Sequence, residues 1–111
     1  MTSLAGQVDA IYLPTDNTVA STAATIGEIL MDKKVPAIGS DEAYLEAVLF
    51  TYGVDYHAIG VQAGELAVEV LKGKDPADLA VKKPDTAAIA VNEEMAKALG
   101  IDSASIEELN K

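Results

Sequence analysis

Apolar residues along this chain fall into two alternating rhythms, short uninterrupted runs and longer stretches in which they recur every three or four positions. Val8 to Leu13 is a compact apolar run that ends at Pro14, and it reads as a buried strand because it does not alternate with polar residues. From about Asn17 to Lys33 the apolar positions are Val19, Ala23, Ile26, Ile29 and Leu30, which share one face of a helix. Thr15 or Asp16 is the natural amino cap, and Lys33 and Lys34 suit the carboxyl end of the helix dipole. Val35 to Gly39 repeats the strand signal, and Asp41 to Val48 reads as a helix of about two turns that opens with two acids.

Leu49 to Val54 is a third extended segment, interrupted by Gly53 and leaving through Asp55 and Tyr56. The clearest helix follows, from His57 to Lys72. Ile59, Ala63, Leu66, Ala67, Val70 and Leu71 line one side of it, Glu65, Glu69 and Lys72 the other, and Gly73 stops it. Lys74 to Asp85, with two prolines and mixed charge, reads as the longest surface connection. Ala87 to Val91 is a fourth strand, Asn92 caps a short helix closed by Gly100, and Ser103 to Lys111 adds a final turn or two. The alternation predicts a single α/β domain over residues 1–111. Its sheet is flavodoxin-like, mostly parallel and four- to five-stranded, with right-handed crossovers and flanking helices.

Composition narrows the chemistry. Half of the 111 residues are apolar, enough for a core without metals or disulfides. A formal charge of -10 disfavours phosphate backbones and anionic headgroups, so nucleic acid and membrane surfaces are poor partners. All 8 basic residues are Lys, so no Arg fork exists to clamp a carboxylate or phosphate. The absence of Cys removes thiolate ligands and leaves the redox compartment unread. No apolar run approaches the roughly 20 residues of a membrane span, and the start of the chain lacks the pattern of an export signal, so a soluble chain is expected.

Candidate chemistry gathers where strands empty into helices. In open α/β sheets, strand carboxyl ends and helix amino ends meet in one crevice, and two such edges are rich in small polar groups: Thr15, Asp16, Asn17 and Thr18, then Ser40 and Asp41. Asp16 suits a ligand ammonium, with hydroxyls and backbone N–H groups for a carboxylate. The same residues serve equally well as ordinary helix caps. His57, the one histidine, has no metal-site companions and reads as a surface or hinge residue. Tyr52 and Tyr56 read as packing residues. No glycine-rich phosphate loop or nucleophile elbow is present, so no cofactor, metal or catalytic role is expected. A phosphoacceptor receiver would need an acid cluster and a Lys after the last strand, where this chain has Asn92 and two glutamates.

Three stretches in order carry more than a fold: VDAIYLPTDNTVAS (8–21), VPAIGSDE (35–42) and TYGVDY (51–56), followed by GVQAGELAVEVLKG (60–73). Together they resemble the type I solute-binding proteins of ABC transporters, in the group linked to aromatic amino acid uptake. The resemblance runs from about Val8 to Ile101 and covers only the carboxyl-terminal portion of such a protein. It implies a non-enzymatic receptor of two α/β lobes closing on a small-molecule ligand of the amino acid class, with a transporter permease as partner and a periplasmic or extracellular, membrane-associated parent. By that resemblance Asp16, Asn17 and Thr18 lie at the cleft edge, Ser40 and Asp41 near the next strand end, and Thr51 to Asp55 begin a crossing to the other lobe. With one jaw missing, binding is expected to be impaired. The helix from His57 to Lys72, deprived of its partner lobe, must fold back on its own sheet or find a second chain. A homodimer exchanging elements near Gly53 is the expectation. The alternative is a structural or engineered single-lobe module, dimeric and without a ligand.

Overall fold

A computed structural model describes residues 1–84 and 87–110. Asp85, the last residue of the expected long connection, and Lys111, the last of the expected terminal helix, lie outside the described residues. The chain divides into two compact units, residues 1–53 with 88–111 and residues 54–87.

The first unit holds most of a four-stranded sheet in the order β1 (Ile11–Leu13), β2 (Ala37–Gly39), β3 (Phe50–Val54), β4 (Ala87–Val91). β1 and β2 run parallel, Ile11 opposite Ala37 and Leu13 opposite Gly39, and β2 and β3 run parallel with Gly39 opposite Thr51. The fourth strand departs from the pattern. The N–H of Asn92, just beyond β4, donates to the carbonyl of Leu49, just before β3, so these neighbours point in opposite directions. The sheet is therefore mostly parallel, with one antiparallel edge.

Burial alternates along the strands as the pleat demands: Ile11, Leu13, Ala37, Gly39 and Thr51 are buried, whereas Tyr12, Ile38 and Tyr52 are exposed. Against the buried side lies a core with Ala23, Ile26 and Leu30 from one helix and Met95 and Ala96 from another. A short helix, α1 (Thr2–Ala5), precedes β1 where the sequence signals no element, and Ala5 joins this core.

The long helix expected from Asn17 to Lys33 is two: α2 (Asn17–Ser21) and α3 (Ala23–Lys33), broken at Thr22 with φ -118 and ψ 12. The hydroxyls of Ser21 and Thr22 both donate to the carbonyl of Thr18, and Thr22 also reaches that of Val19. Side chains that bond back to the preceding turn compete with the helical ladder. The apolar periodicity runs through the break unchanged, which is why it was invisible as pattern.

The two-turn helix expected at Asp41 to Val48 is a 3-10 element, Glu42–Ala47, kinked at Tyr44. It packs directly on α3, where a Cβ on Gly27 would lie 2.5 Å from the Glu46 carbonyl. This tertiary contact outweighs the local preference for an α-helix.

The second unit is built on α4 (Tyr56–Leu71), capped by Asp55, whose carboxylate accepts the Ala58 N–H. Gly73, at φ 96, ends it: Gly73 N–H reaches the Val70 carbonyl and Lys74 N–H that of Glu69, a Schellman closure. Beyond a 3-10 turn at Pro76–Asp78, Lys82 pairs with Glu65 at 3.2 Å. Lys74 pairs with Glu69 at 2.7 Å and, by donating to it, holds that carboxyl below the usual carboxylate range. No residue of α4 is buried.

Back in the first unit, α5 (Glu93–Leu99) and α6 (Ser103–Glu107), capped by Asn92 and Asp102, are followed by a 3-10 turn at Glu108–Asn110. Among the described residues, no helix is long and apolar enough to cross a membrane.

Candidate functional site

The same two-residue device follows each of the first two strands. After β1 come Thr15 and then Asp16; after β2 come Ser40 and then Asp41. In each case the chain stays extended at the acid, with φ -154 at Asp16 and -145 at Asp41, and turns into a helix directly after it. The acid is the cap. Asp16 Oδ1 accepts the N–H groups of Thr18 at 2.8 Å and Val19 at 3.1 Å, and Asp41 Oδ1 accepts that of Ala43 at 2.9 Å.

Because β1 and β2 are parallel neighbours, their carboxyl ends lie side by side, and the two hydroxyl residues meet. Thr15 Oγ1 and Ser40 Oγ are 2.9 Å apart, across 25 positions of sequence. Behind them lies the Leu13 carbonyl at the end of β1. It accepts the Ser40 N–H at 3.1 Å and is 3.3 Å from both the Ser40 hydroxyl and the Tyr44 hydroxyl. Tyr44 OH is also 3.2 Å from Ser40 Oγ.

Tyr44 itself is 1% exposed, one of the largest fully buried side chains. Its ring lies on Gly39, where a Cβ would be 2.7 Å from Cε2, so the absence of a side chain at the end of β2 is what admits the phenol. The result is a graded row of polar atoms: carbonyl and phenol inside, Ser40 half-buried, Thr15, Asp16, Asn17 and Thr18 exposed.

The residues of this edge, Thr15 to Thr18 with Ser40 and Asp41, supply acceptors and carboxylates, and none of them is cationic. The N–H groups of Thr18 and Val19, the natural grips for a ligand carboxylate, are occupied by Asp16. Asn17 stands on the exposed first turn of α2. The arrangement suits hydrogen bonds to a small polar molecule, with an ammonium the best electrostatic match.

Of the residues named from sequence, the structure brings Thr15 and Ser40 into contact, with Asp16 and Asp41 next to each in the chain. Tyr52 and Tyr56 are 57% and 60% exposed. His57, exposed on α4, belongs to the second unit. Among the described residues no three His, Asp or Glu side chains are grouped to hold a metal. Sequence reasoning missed Tyr44 and the Leu13 carbonyl. The available signal was the glycine before Ser40 combined with an aromatic four residues after it, the spacing that returns a side chain over the strand end.

A hollow of about 430 Å³ in this unit is lined by Met31, Leu45, Val91 and Asn92 with three glutamates. It adjoins the end of the 3-10 element and the start of α5, away from the hydroxyl row.

Comparison with known proteins agrees with this architecture. Residues 1–109 match the family model described as ABC transporter substrate binding protein. A tyrosine-binding protein of Clostridioides difficile is 36% identical over 110 residues, 98% of this chain but 32% of the relative. Among solved structures, the ligand-free, open form of a substrate binding protein with adhesive properties from Clostridium difficile superposes with a TM-score of 0.78 at 37% identity. That match covers 91% of this chain and 35% of the other. A Streptococcus pneumoniae ABC domain in complex with L-Trp gives 0.75 at 35% identity, over 96% and 37% of the two chains. The chain thus spans about a third of the length of the proteins it matches.

Proposed function

This chain belongs to the ABC transporter substrate binding proteins, a family of transport components that bind solutes without transforming them, and on that premise we propose that it forms one side of an amino acid binding site. The site is the row at the ends of β1 and β2: Thr15, Asp16, Asn17, Thr18, Ser40 and Asp41. The observation that carries the reading is the 2.9 Å contact between Thr15 and Ser40, which joins two hydroxyl–aspartate pairs into one polar edge. An aromatic amino acid is the ligand class, since one relative bears the name of a tyrosine-binding protein and another was solved with L-Trp. Its ammonium group meets the acceptors of this edge. Its carboxylate and ring are left to groups other than those of this edge. The whole receptor then delivers its solute to a membrane permease from the outer side of the membrane.

A ligand held from one side keeps much of its surface in water, so binding to these 111 residues alone is weak, with a dissociation constant on the order of millimolar. The test is a titration with L-tryptophan followed by the amide resonances of the labelled chain. Saturating shifts at residues 13, 15–18 and 39–44 are expected. Tryptamine, which keeps the ammonium, should reproduce them, and indole-3-propionate, which lacks it, should not. No shift up to the solubility limit would instead favour a module whose acids serve only as caps, the reading supported by the full engagement of Asp16 Oδ1.

A further inference from the structure

We propose that Tyr44 is a positioning residue of this site, acting through Ser40 to fix the hydroxyl of Thr15. The inference rests on the reading of the hydroxyl row as a ligand edge. A phenylalanine would fill the same space against Gly39, so the hydroxyl of Tyr44 is explained by what it touches. Both its partners belong to the row: the Leu13 carbonyl at 3.3 Å and Ser40 Oγ at 3.2 Å. A buried phenol needs such partners, and here the backbone and a site side chain supply them.

The proton count gives the mechanism. The Leu13 carbonyl can only accept, and the Ser40 N–H at 3.1 Å fills one of its two lone-pair positions. Two hydroxyls compete for the other, those of Tyr44 and Ser40, both at 3.3 Å. When Tyr44 takes it, the Ser40 hydroxyl donates to the Tyr44 oxygen at 3.2 Å and accepts the Thr15 proton, so that the Thr15 lone pairs face outward. Thr15, at 2.9 Å, is then the last member of a row with a fixed direction. Without the Tyr44 hydroxyl, Ser40 keeps only the Leu13 carbonyl, 3.3 Å away, as an inward acceptor, and its proton can turn outward to Thr15, whose own proton then faces a ligand ammonium. Tyr44 therefore sets the orientation of a group it does not touch.

A double-mutant cycle with L-tryptophan as probe tests this. Tyr44→Phe is expected to weaken binding about threefold to tenfold, the equivalent of one ordinary hydrogen bond, and Thr15→Val by a similar factor. The double variant should bind no more weakly than Thr15→Val alone, because both changes disable one row. Ser40→Ala should likewise abolish the effect of Tyr44→Phe. A purely structural role for Tyr44 would make the losses multiply, and either that result or unchanged affinity in Tyr44→Phe would overturn the inference. If the native chain binds L-tryptophan and only the cycle fails, the ligand edge stands and this role falls. If the native chain binds nothing, both fall.

Discussion

Lys34 follows α3 at φ 54, ψ 40, and it is the only non-glycine among the described residues with positive φ. Its surroundings are those of a Schellman closure: Lys34 N–H reaches the Met31 carbonyl, and Val35 N–H that of Leu30. Gly100, at φ 71, performs the same task after α5. A side chain at this position bears a left-handed penalty that glycine avoids, and Lys34 is exposed, so its removal costs only a solvent-screened charge interaction with the helix end. Lys34→Gly is expected to stabilise the protein by about 1 kcal/mol, read as a higher urea midpoint with an unchanged slope. Sequence alone marked Gly100 as a helix stop and placed Lys34 in the favourable last turn for its charge. Charge sense and backbone strain coincide there, and only the first is written in the residue type. The same holds at the candidate site, where Asp16 and Asp41 are legible as polar groups at strand ends, whereas Tyr44 is legible only once Gly39 is known to lie beneath its ring.

Among the elements, the contact of α3 with the 3-10 segment depends most on a single residue. Gly27 sits in the middle of α3, where alanine would ordinarily be the better helix former by about 1 kcal/mol. Here an added Cβ would lie 2.5 Å from the Glu46 carbonyl and 3.1 Å from the Ala47 Cα, and neither backbone atom can swing aside. Gly27→Ala is expected to destabilise the fold by a net 1–2 kcal/mol or about that, lowering the thermal midpoint by several degrees. Because the 3-10 segment also carries Tyr44, the variant should weaken L-tryptophan binding as well. The apolar rhythm foretold all four strands and α4 with its Gly73 stop, but not the cap at Asp55. It could not foretell that β4 would run antiparallel, since strand direction is decided by the route of the intervening chain and not by the composition of Ala87–Val91. Nor could it separate α2 from α3, because the hydroxyls of Ser21 and Thr22 interrupt hydrogen bonds and leave the periodicity intact.

At the scale of the whole molecule, the two units differ in how well they enclose apolar surface. The first has a core in which Leu30, Tyr44 and Met95 are essentially inaccessible. Within the second, Val61, Val68 and Leu71 are 51%, 47% and 86% exposed, and no residue of α4 is fully buried. Apolar surface of this kind favours association, opposed by a net charge of -10. We expect a homodimer in solution, formed by exchange of elements across the strand that contains Gly53. Light scattering during size-exclusion chromatography should give a mass near twice 11.5 kDa, rising toward that value with protein concentration and with added salt. A monomer at every concentration would sink the exchange and leave a self-sufficient half-receptor.

The burial of Tyr44 has an optical consequence. The protein contains 4 tyrosines and no tryptophan. Tyr12, Tyr52 and Tyr56 are 64%, 57% and 60% exposed, whereas Tyr44 is 1% exposed and pinned between a glycine and a hydroxyl row. Near-ultraviolet dichroism arises from rings held in one asymmetric setting, so this signal belongs chiefly to the one phenol that touches the polar edge. Any indole emission, by contrast, belongs to an added solute. The chain therefore carries a chromophore at the hinge of its candidate chemistry and is dark where its proposed solute glows.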